Sequence, residues 1–312
     1  MHREINGLLV IDKPPEMTSA RLTAIVKKLL RVKKAGHTGT LDPFATGVML
    51  ICLGKATKLA RFFLHEEKTY TGIMKLGIET DTQDLTGHIT ATGDPMSITE
   101  KEIIRAFEKF KGTIQQVPPV FSALKHHGIP LYRLARMGKP VQKPPRTVHI
   151  HELTVLDIRL PEIEFRVTCS GGTYIRTLVS DIGKILDCGG HLTALKRTKN
   201  AGFKIEESVS LQKLEKMAEN GGDDTPQGVY NCLITMRKAL KNMPEIIVDK
   251  TMAKSILDGK NIHVKSLTGM AQREKQPVGN YVKVVNSHGE LLAVLNLEKN
   301  QDFYKYCCVF SI

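Results

Sequence analysis

Apolar side chains in this chain fall into short continuous runs and two clear periodicities. Gly7-Leu8-Leu9-Val10-Ile11 is a run of strand length, read as buried, and Asp12-Lys13-Pro14-Pro15 ends it. Thr18 or Ser19 then caps a helix whose Leu22, Ile25, Val26, Leu29 and Leu30 keep the 3.6-residue period of one buried face. Strands are predicted at 48–53 and 68–76, with a helix between them from about Thr57 to Leu64. In the second strand Tyr70 and Met74 share a face, so the tyrosine reads as core as readily as anything else. Thr99 and Glu102 make a capping box for a helix that turns Ile103, Ile104 and Phe107 inward, and Gly112 closes it. A strand follows at Val148 to Ile158. Then Ile163, Phe165, Val167 and Cys169 alternate with Glu164, Arg166, Thr168 and Ser170, the period of a half-solvated sheet face. Ser170-Gly171-Gly172-Thr173 turns that strand into a helix striped by Ile175, Leu178, Val179, Ile182, Ile185 and Leu186, and Gly189-Gly190 leads to a strand at Leu192 to Thr198.

Ser208 or Ser210 caps a helix carrying Leu211, Leu214 and Met217, residues 220–226 are a polar break, and a last helix from Met236 to Asn242 stops before Pro244. Beyond it the pattern changes to short strands at 246–248, 281–285, 291–295 and 304–310, with Asn286-Ser287-His288-Gly289 as a hairpin turn. Two domains are expected: a larger α+β domain over 1–243 and a small β domain over 244–312. Within the first, residues 117–146 change composition to prolines, adjacent His126 and His127, and closely spaced Lys and Arg, around a short helix from Leu131 to Met137. This basic insertion reads either as a projecting element that grips a ligand or as a merely exposed loop.

Charge narrows the partner. Lys plus Arg number 45 against 32 Asp plus Glu, a net +13 with a pI near 9.4, which points to a polyanion: nucleic acid first, a membrane surface second. No stretch of eighteen apolar residues occurs, so a soluble, cytoplasmic protein without membrane association is expected. Six scattered cysteines without a C-x-x-C pair and histidines without ligand spacing predict neither disulfides nor a metal.

One stretch has too little apolar bulk to be core: Gly36-His37-Thr38-Gly39-Thr40-Leu41-Asp42-Pro43-Phe44-Ala45-Thr46-Gly47. Asp42 is the ionised side chain of its second half, and Pro43 biases it toward extended dihedrals while removing the next backbone donor. The loop aims one carboxylate, although Asp-Pro also simply opens turns. Lys27, Lys28, Arg31, Lys33 and Lys34 lead into it, either to steer a phosphate backbone or as a solvated helix end.

Gly36 to Leu50, with Asp12-Lys13-Pro14, Lys68-Thr69-Tyr70, Phe121-Ser122-Ala123-Leu124-Lys125 and Gly172-Thr173-Tyr174-Ile175-Arg176-Thr177, resembles the TruB family of tRNA pseudouridine synthases, in that family's order along the chain. The resemblance implies a pseudouridine synthase fold, a mixed and largely antiparallel sheet flanked by helices, followed by a β-barrel-like PUA domain. It implies isomerisation of uridine-55 in the T loop of tRNA, by a monomer and without a cofactor. Asp42 matches the nucleophile, Arg176 its partner, expected to lower its pKa, and Tyr70 the residue stacked on the flipped base where the C5 proton leaves. Tyr174 and Leu195 match the other pocket walls. His37 matches the side chain that replaces the extruded base, and Lys13 a brace for Tyr70 and the loop. The 117–146 insertion resembles the family's thumb, and 244–312 a PUA domain that contacts the acceptor end. Three other readings stay open: an RNA-guided relative acting on ribosomal RNA, an RNA chaperone, and a carboxylate glycosidase. The last requires a second acid beside Asp42; none is expected, because Glu66 and Glu67 belong to another element.

Overall fold

A computed structural model describes residues 4–219, 227–268, 280–298 and 301–311; the polar break expected at 220–226 lies outside them. The main sheet runs Val209–Ser210, Gly7–Lys13, Thr46–Leu53, Gly190–Asn200, Lys68–Leu76, Glu162–Cys169, Arg146–Arg159, Gly112–Gln116, and two short strands, Ala35–His37 and Phe203–Lys204, pair off this path. Only two of the pairings along the path are parallel, those of Gly7–Lys13 with Val209–Ser210 and of Thr46–Leu53 with Gly190–Asn200. The sheet is therefore mixed and largely antiparallel, as expected.

The continuous apolar runs have a physical reason: their strands are covered on both faces. Leu9, Ile11, Met49 and Ile51 pack with Leu22, Val26 and Leu214 of the helices Ser19–Leu29 and Leu211–Glu219. On the opposite face Leu8, Val10, Val48 and Leu50 pack with Val285, Leu291, Val294 and Phe310. The Lys68–Leu76 strand instead alternates buried and half-buried positions. Its buried face, Tyr70 and Met74 included, meets Phe165, Val167, Ile103 and Phe107, and Leu178 and Ile182 of the helix Ile175–Ile185.

The capping box forms as predicted at the helix Glu100–Glu108, yet packing holds this helix more than its cap does. A cap is worth ~1 kcal/mol, whereas full burial of Ile103 or Phe107 contributes about 1.5–3 kcal/mol each. Several expectations are corrected here. Ile104 is 42% exposed, its place on the buried face taken by Ala106, and Gly112 opens the next strand with φ +88 instead of closing the helix. Ile185 also stands exposed at the end of its helix. The segment expected as a helix from Thr57 is a 3-10 turn, Gly54–Leu59, with one α turn after it, and the helix at Met236 ends at Ala239.

The strand Gly112–Gln116 and the strand Arg146–Arg159 pair with Arg146 opposite Gln116. Residues 117–145 thus leave the sheet and return to it at one point, as a lobe holding a two-residue hairpin and the helix Leu131–Arg136. A second sheet orders Glu245–Val248, Tyr281–Asn286, Leu291–Asn296, Phe303–Val309 and Ile262–His263. The hairpin turn at 286–289 is present, with Asn286 Oδ1 accepting from the amides of His288 and Glu290. The helices Gln227–Cys232 and Lys250–Leu257 were not anticipated.

Gly47 marks the tightest approach behind the Asp42 loop. It has φ +101, and a Cβ there would stand 2.2 Å from the Arg197 carbonyl oxygen. We expect Gly47→Ala to lose at least ~2 kcal/mol in a denaturant titration, from strain and clash together. Gly36→Ala, near only Thr57 Cγ2 at 3.9 Å, should stay within ~0.5 kcal/mol of the parent.

Candidate active site

The loop is held on both sides of Asp42 by the segment that joins the first strand to the first helix. Ser19 Oγ accepts from the Leu41 amide at 2.8 Å and donates to the Leu41 carbonyl at 3.1 Å. Lys13 Nζ donates to the carbonyls of Pro14, Met17 and Pro43, and the Met17 amide also donates to Pro43. Lys13 is fully buried, and burial pushes its ammonium down to about 8 while the Asp42 charge acts the other way. The brace is therefore on the loop's backbone; its acceptors are main-chain carbonyls, none of them on Tyr70.

Arg176 sits in the first turn of the helix Ile175–Ile185, where the helix dipole disfavours a cation. Two carboxylates offset this. Nε donates to Asp42 Oδ2 at 2.9 Å and Nη2 to Asp42 Oδ1 at 3.1 Å, a two-point bridge, and Nη1 lies 3.3 Å from Asp84 Oδ2. The rest of the fork donates to the carbonyls of Thr82 at 2.8 Å and Phe121 at 2.9 Å. The Arg176 side chain is 5% exposed while that of Asp42 is 30% exposed, so the carboxylate keeps an open side.

Asp84 corrects the expectation that no second acid lies near Asp42. It is held by the hydroxyls of Thr82 and Thr86 and by the Thr86 amide. The signal was present as Asp81-Thr82-Gln83-Asp84, a turn-forming polar run without apolar periodicity that a reading by strands and helices passes over. Asp84 also bears on a second correction. Burial raises the Asp42 pKa from its ordinary value of 3.8; Arg176 opposes this and the Asp84 charge adds to it, so the expected depression does not result.

Tyr70 is buried in the same apolar cluster as Leu41, Ala45 and Leu195. Burial raises its hydroxyl pKa, and the charge of Arg197 opposes that rise. Tyr174 precedes the helix; Gln116 clamps its main chain, accepting from its amide at 2.7 Å and donating to its carbonyl at 2.9 Å, and the Arg146 guanidinium lies 4.5 Å from its ring centre. His37 is half-buried at the entry to the loop; burial and then Arg197 lower its pKa, and its buried Nδ1 has no hydrogen-bond partner among the described residues. The structure thus joins Asp42 to Arg176 directly, sets Tyr70 and Leu195 in one cluster with the loop, and places Lys13 beneath it. Lys27, Lys28, Arg31, Lys33 and Lys34 are all exposed beside it.

Among the described residues no helix is long and apolar enough to cross a membrane. The N-terminal domain of TruB family pseudouridylate synthases matches residues 27–175, and the C-terminal domain of tRNA pseudouridylate synthase B matches 176–247. The chain is 43% identical to tRNA pseudouridine synthase B of Syntrophotalea carbinolica over 244 residues, 78% of each chain. It is 39% identical to that of Burkholderia pseudomallei over 292 residues, 94% of this chain and 93% of the other. Its structure is similar to one in a Cbf5-Nop10-Gar1 complex, with TM-score 0.74, 27% identity and coverage of 97% and 85%. It also resembles a chain in an H/ACA RNP bound to a substrate RNA containing 2'-deoxyuridine, with TM-score 0.71, 27% identity and coverage of 98% and 85%.

The charge arrangement fixes the sign of one titration. Because Asp84 adds to the rise at Asp42, Asp84→Asn should move the Asp42 carboxyl titration to lower pH, read from its carbon-13 resonance. An upward move would remove Asp84 as a charge acting on Asp42.

Proposed function

The chain belongs to the TruB family of pseudouridylate synthases, and from that membership we propose that it isomerises uridine-55 in the T loop of tRNA to pseudouridine, with Asp42 as the nucleophile. It has the pseudouridine synthase fold and is an isomerase. The observation that carries the finer reading is the two-point bridge from Arg176 to a loop carboxylate whose other side is open.

In the reaction the N1–C1' bond breaks, a C5–C1' bond forms, the C5 proton leaves and N1 gains one, so no electrons are exchanged with a cofactor. A transient bond from a carboxylate oxygen, to C6 of the base or to C1' of the sugar, lets the base turn without leaving. A carboxylate attacks only when ionised and in line. Arg176 favours both conditions, its charge opposing the rise that burial gives the carboxyl pKa and its planar fork fixing the orientation. Tyr70 would lie against the flipped base near C5, with Leu195 and Tyr174 as further walls. Flipping costs ~a few kcal/mol of stacking. His37, kept neutral at neutral pH by burial, would fill the vacated place in the T loop.

The lobe at 117–146 is assigned to gripping the T arm. Its Phe121 carbonyl bonds Arg176, so a lobe that closes on RNA acts on the residue that aims Asp42. Residues 1–243 are assigned as the catalytic domain and 244–312 as a PUA-like domain toward the acceptor end. The likeness to Cbf5 in multi-protein complexes keeps one competitor, a guide-dependent enzyme, within the same test.

Tritium release from C5-labelled uridine in a T-arm stem-loop, with no guide RNA and no other protein, is expected for the parent. Asp42→Asn should abolish release with RNA affinity within a few-fold; undiminished release would end the assignment of Asp42. Arg176→Lys should also lose most turnover, since a point charge cannot reproduce a planar fork. RNA binding should weaken steeply with added salt, and a flat response would leave the +13 charge without this role.

A further inference from the structure

The helix that carries Arg176 starts without a side-chain cap of its own. Tyr174 stands at its N-cap position in extended geometry, φ −96 and ψ 108, and its side chain caps nothing. A strand residue 58 positions earlier does the holding. Gln116 is 1% exposed, and its amide meets the Tyr174 main chain twice: Oε1 accepts from the amide at 2.7 Å and Nε2 donates to the carbonyl at 2.9 Å. That carbonyl also accepts the first helical bond, from the Leu178 amide at 3.1 Å. Because the main-chain donor and acceptor are fixed, the glutamine amide fits one way round only. An apolar side chain of similar size would fill the space, but it would set no orientation.

The base of the inserted lobe reaches this helix start at more than one point. Gln116 is the register partner of Arg146, whose guanidinium lies 4.5 Å from the Tyr174 ring centre, so one pair of strand residues holds both the main chain and the ring of Tyr174. Past Gln116, Pro118 and Pro119 are buried, and two successive rings fix φ there. Gln142 Nε2, on the returning arm, donates to the Pro118 carbonyl at 3.0 Å. Beyond the prolines the Phe121 carbonyl accepts from Arg176 Nη2 at 2.9 Å. Residues 116 and 121 thus hold residues 174 and 176, across a stiff segment that keeps the two holds a constant distance apart. A rotation of the main chain at Tyr174 would swing the guanidinium fork, and a misplacement of ~1 Å near a reacting group can cost on the order of 100-fold in rate.

We propose that Gln116 is a positioning residue for the reaction: its amide fixes the Tyr174 main chain and, through it, the bearing of Arg176 on Asp42. The inference rests on the reading of Asp42 as the nucleophile. Gln116 acts on the carboxylate at second hand, through the residue that opens the turn bearing the arginine.

Two readouts test this, one of them without RNA. Gln116→Leu, close in volume but with neither donor nor acceptor, should move the Asp42 carboxyl titration of the free protein upward by ~0.5 pH unit or more, read from its carbon-13 resonance, because a loosened Arg176 opposes the effect of burial less. Its single-turnover tritium release from the T-arm stem-loop at saturating RNA should be slower by ~10-fold or more, with RNA affinity within ~3-fold of the parent. A slow variant whose Asp42 titration matches the parent's would mean a structural role only and would overturn the proposal, as would a parental rate. Gln116→Glu gives a second measurement and decides alone if the leucine variant does not fold. Its protonated carboxyl offers the donor and the acceptor of the glutamine amide, whereas its carboxylate has no donor and faces the Tyr174 carbonyl. Burial raises a carboxyl pKa, so its rate relative to the parent should recover by ~5-fold or more as the pH falls from about 8 to about 5.5. A ratio constant across that range would overturn the proposal. Failure of the underlying reading shows separately: a parent that releases no tritium refutes the assigned reaction, while the carbon-13 titration still decides whether Gln116 acts through Arg176.

Discussion

A single guanidinium ties the site together. Arg176 reaches Asp42 with two nitrogens, Asp84 with a third contact, and the carbonyls of Thr82 and Phe121 with what remains. Those partners come from the glycine-framed loop, the 81–86 turn and the base of the inserted lobe, and the arginine itself from a helix start. No hydrophobic contact gives such directionality, because a planar fork satisfies several acceptors only in one arrangement. The cost is equally clear. An arginine at the positive end of a helix dipole, nearly buried, holds its place only while both carboxylates are present.

Asp42 is consequently held from several directions at once. Ser19 fixes Leu41, Lys13 and the Met17 amide fix Pro43, and Arg176 fixes the carboxylate. A flexible loop would lose conformational freedom at each encounter with RNA, roughly 1–2 kcal/mol per ordered residue. Here that ordering is already present in the free protein. The support continues downward: Gly47 lets the Arg197 backbone lie against the strand that follows the loop, and both faces of that strand are covered, one by helices and one by the second sheet.

Much of this was legible in the sequence, for identifiable reasons. Glu162–Cys169 was found because period-two alternation with a solvated face is a strong signal, and the capping box at Thr99 because two side chains at fixed spacing define it. Asp42 stood out because glycines and small hydroxyl residues around an acid make a poor core. What was missed was carried by tertiary contact. Nothing local marks Asp84 as a neighbour of Asp42, since the two meet only through an arginine more than ninety residues further on. Ile104 and Ile185 are apolar yet exposed, as a helix with one narrow packing face permits. The sign of the Asp42 shift also depended on burial, which the sequence does not contain.

The second sheet is more than an appended module. Val285, Leu291, Val294 and Phe310 share a core with Leu8, Val10, Val48 and Leu50, and Arg237 bridges Glu245 with two nitrogens while Lys283 approaches the same carboxylate. An apolar contact of that kind, backed by a partly buried ion-pair cluster, resists independent motion of the two sheets in a way a linker does not. A load on the second sheet is therefore borne by the strands Gly7–Lys13 and Thr46–Leu53, the pair on either side of the braces that hold Asp42. The second sheet and the strands that carry the Asp42 loop are thus packed into one frame, so the position of either is set by a core they share.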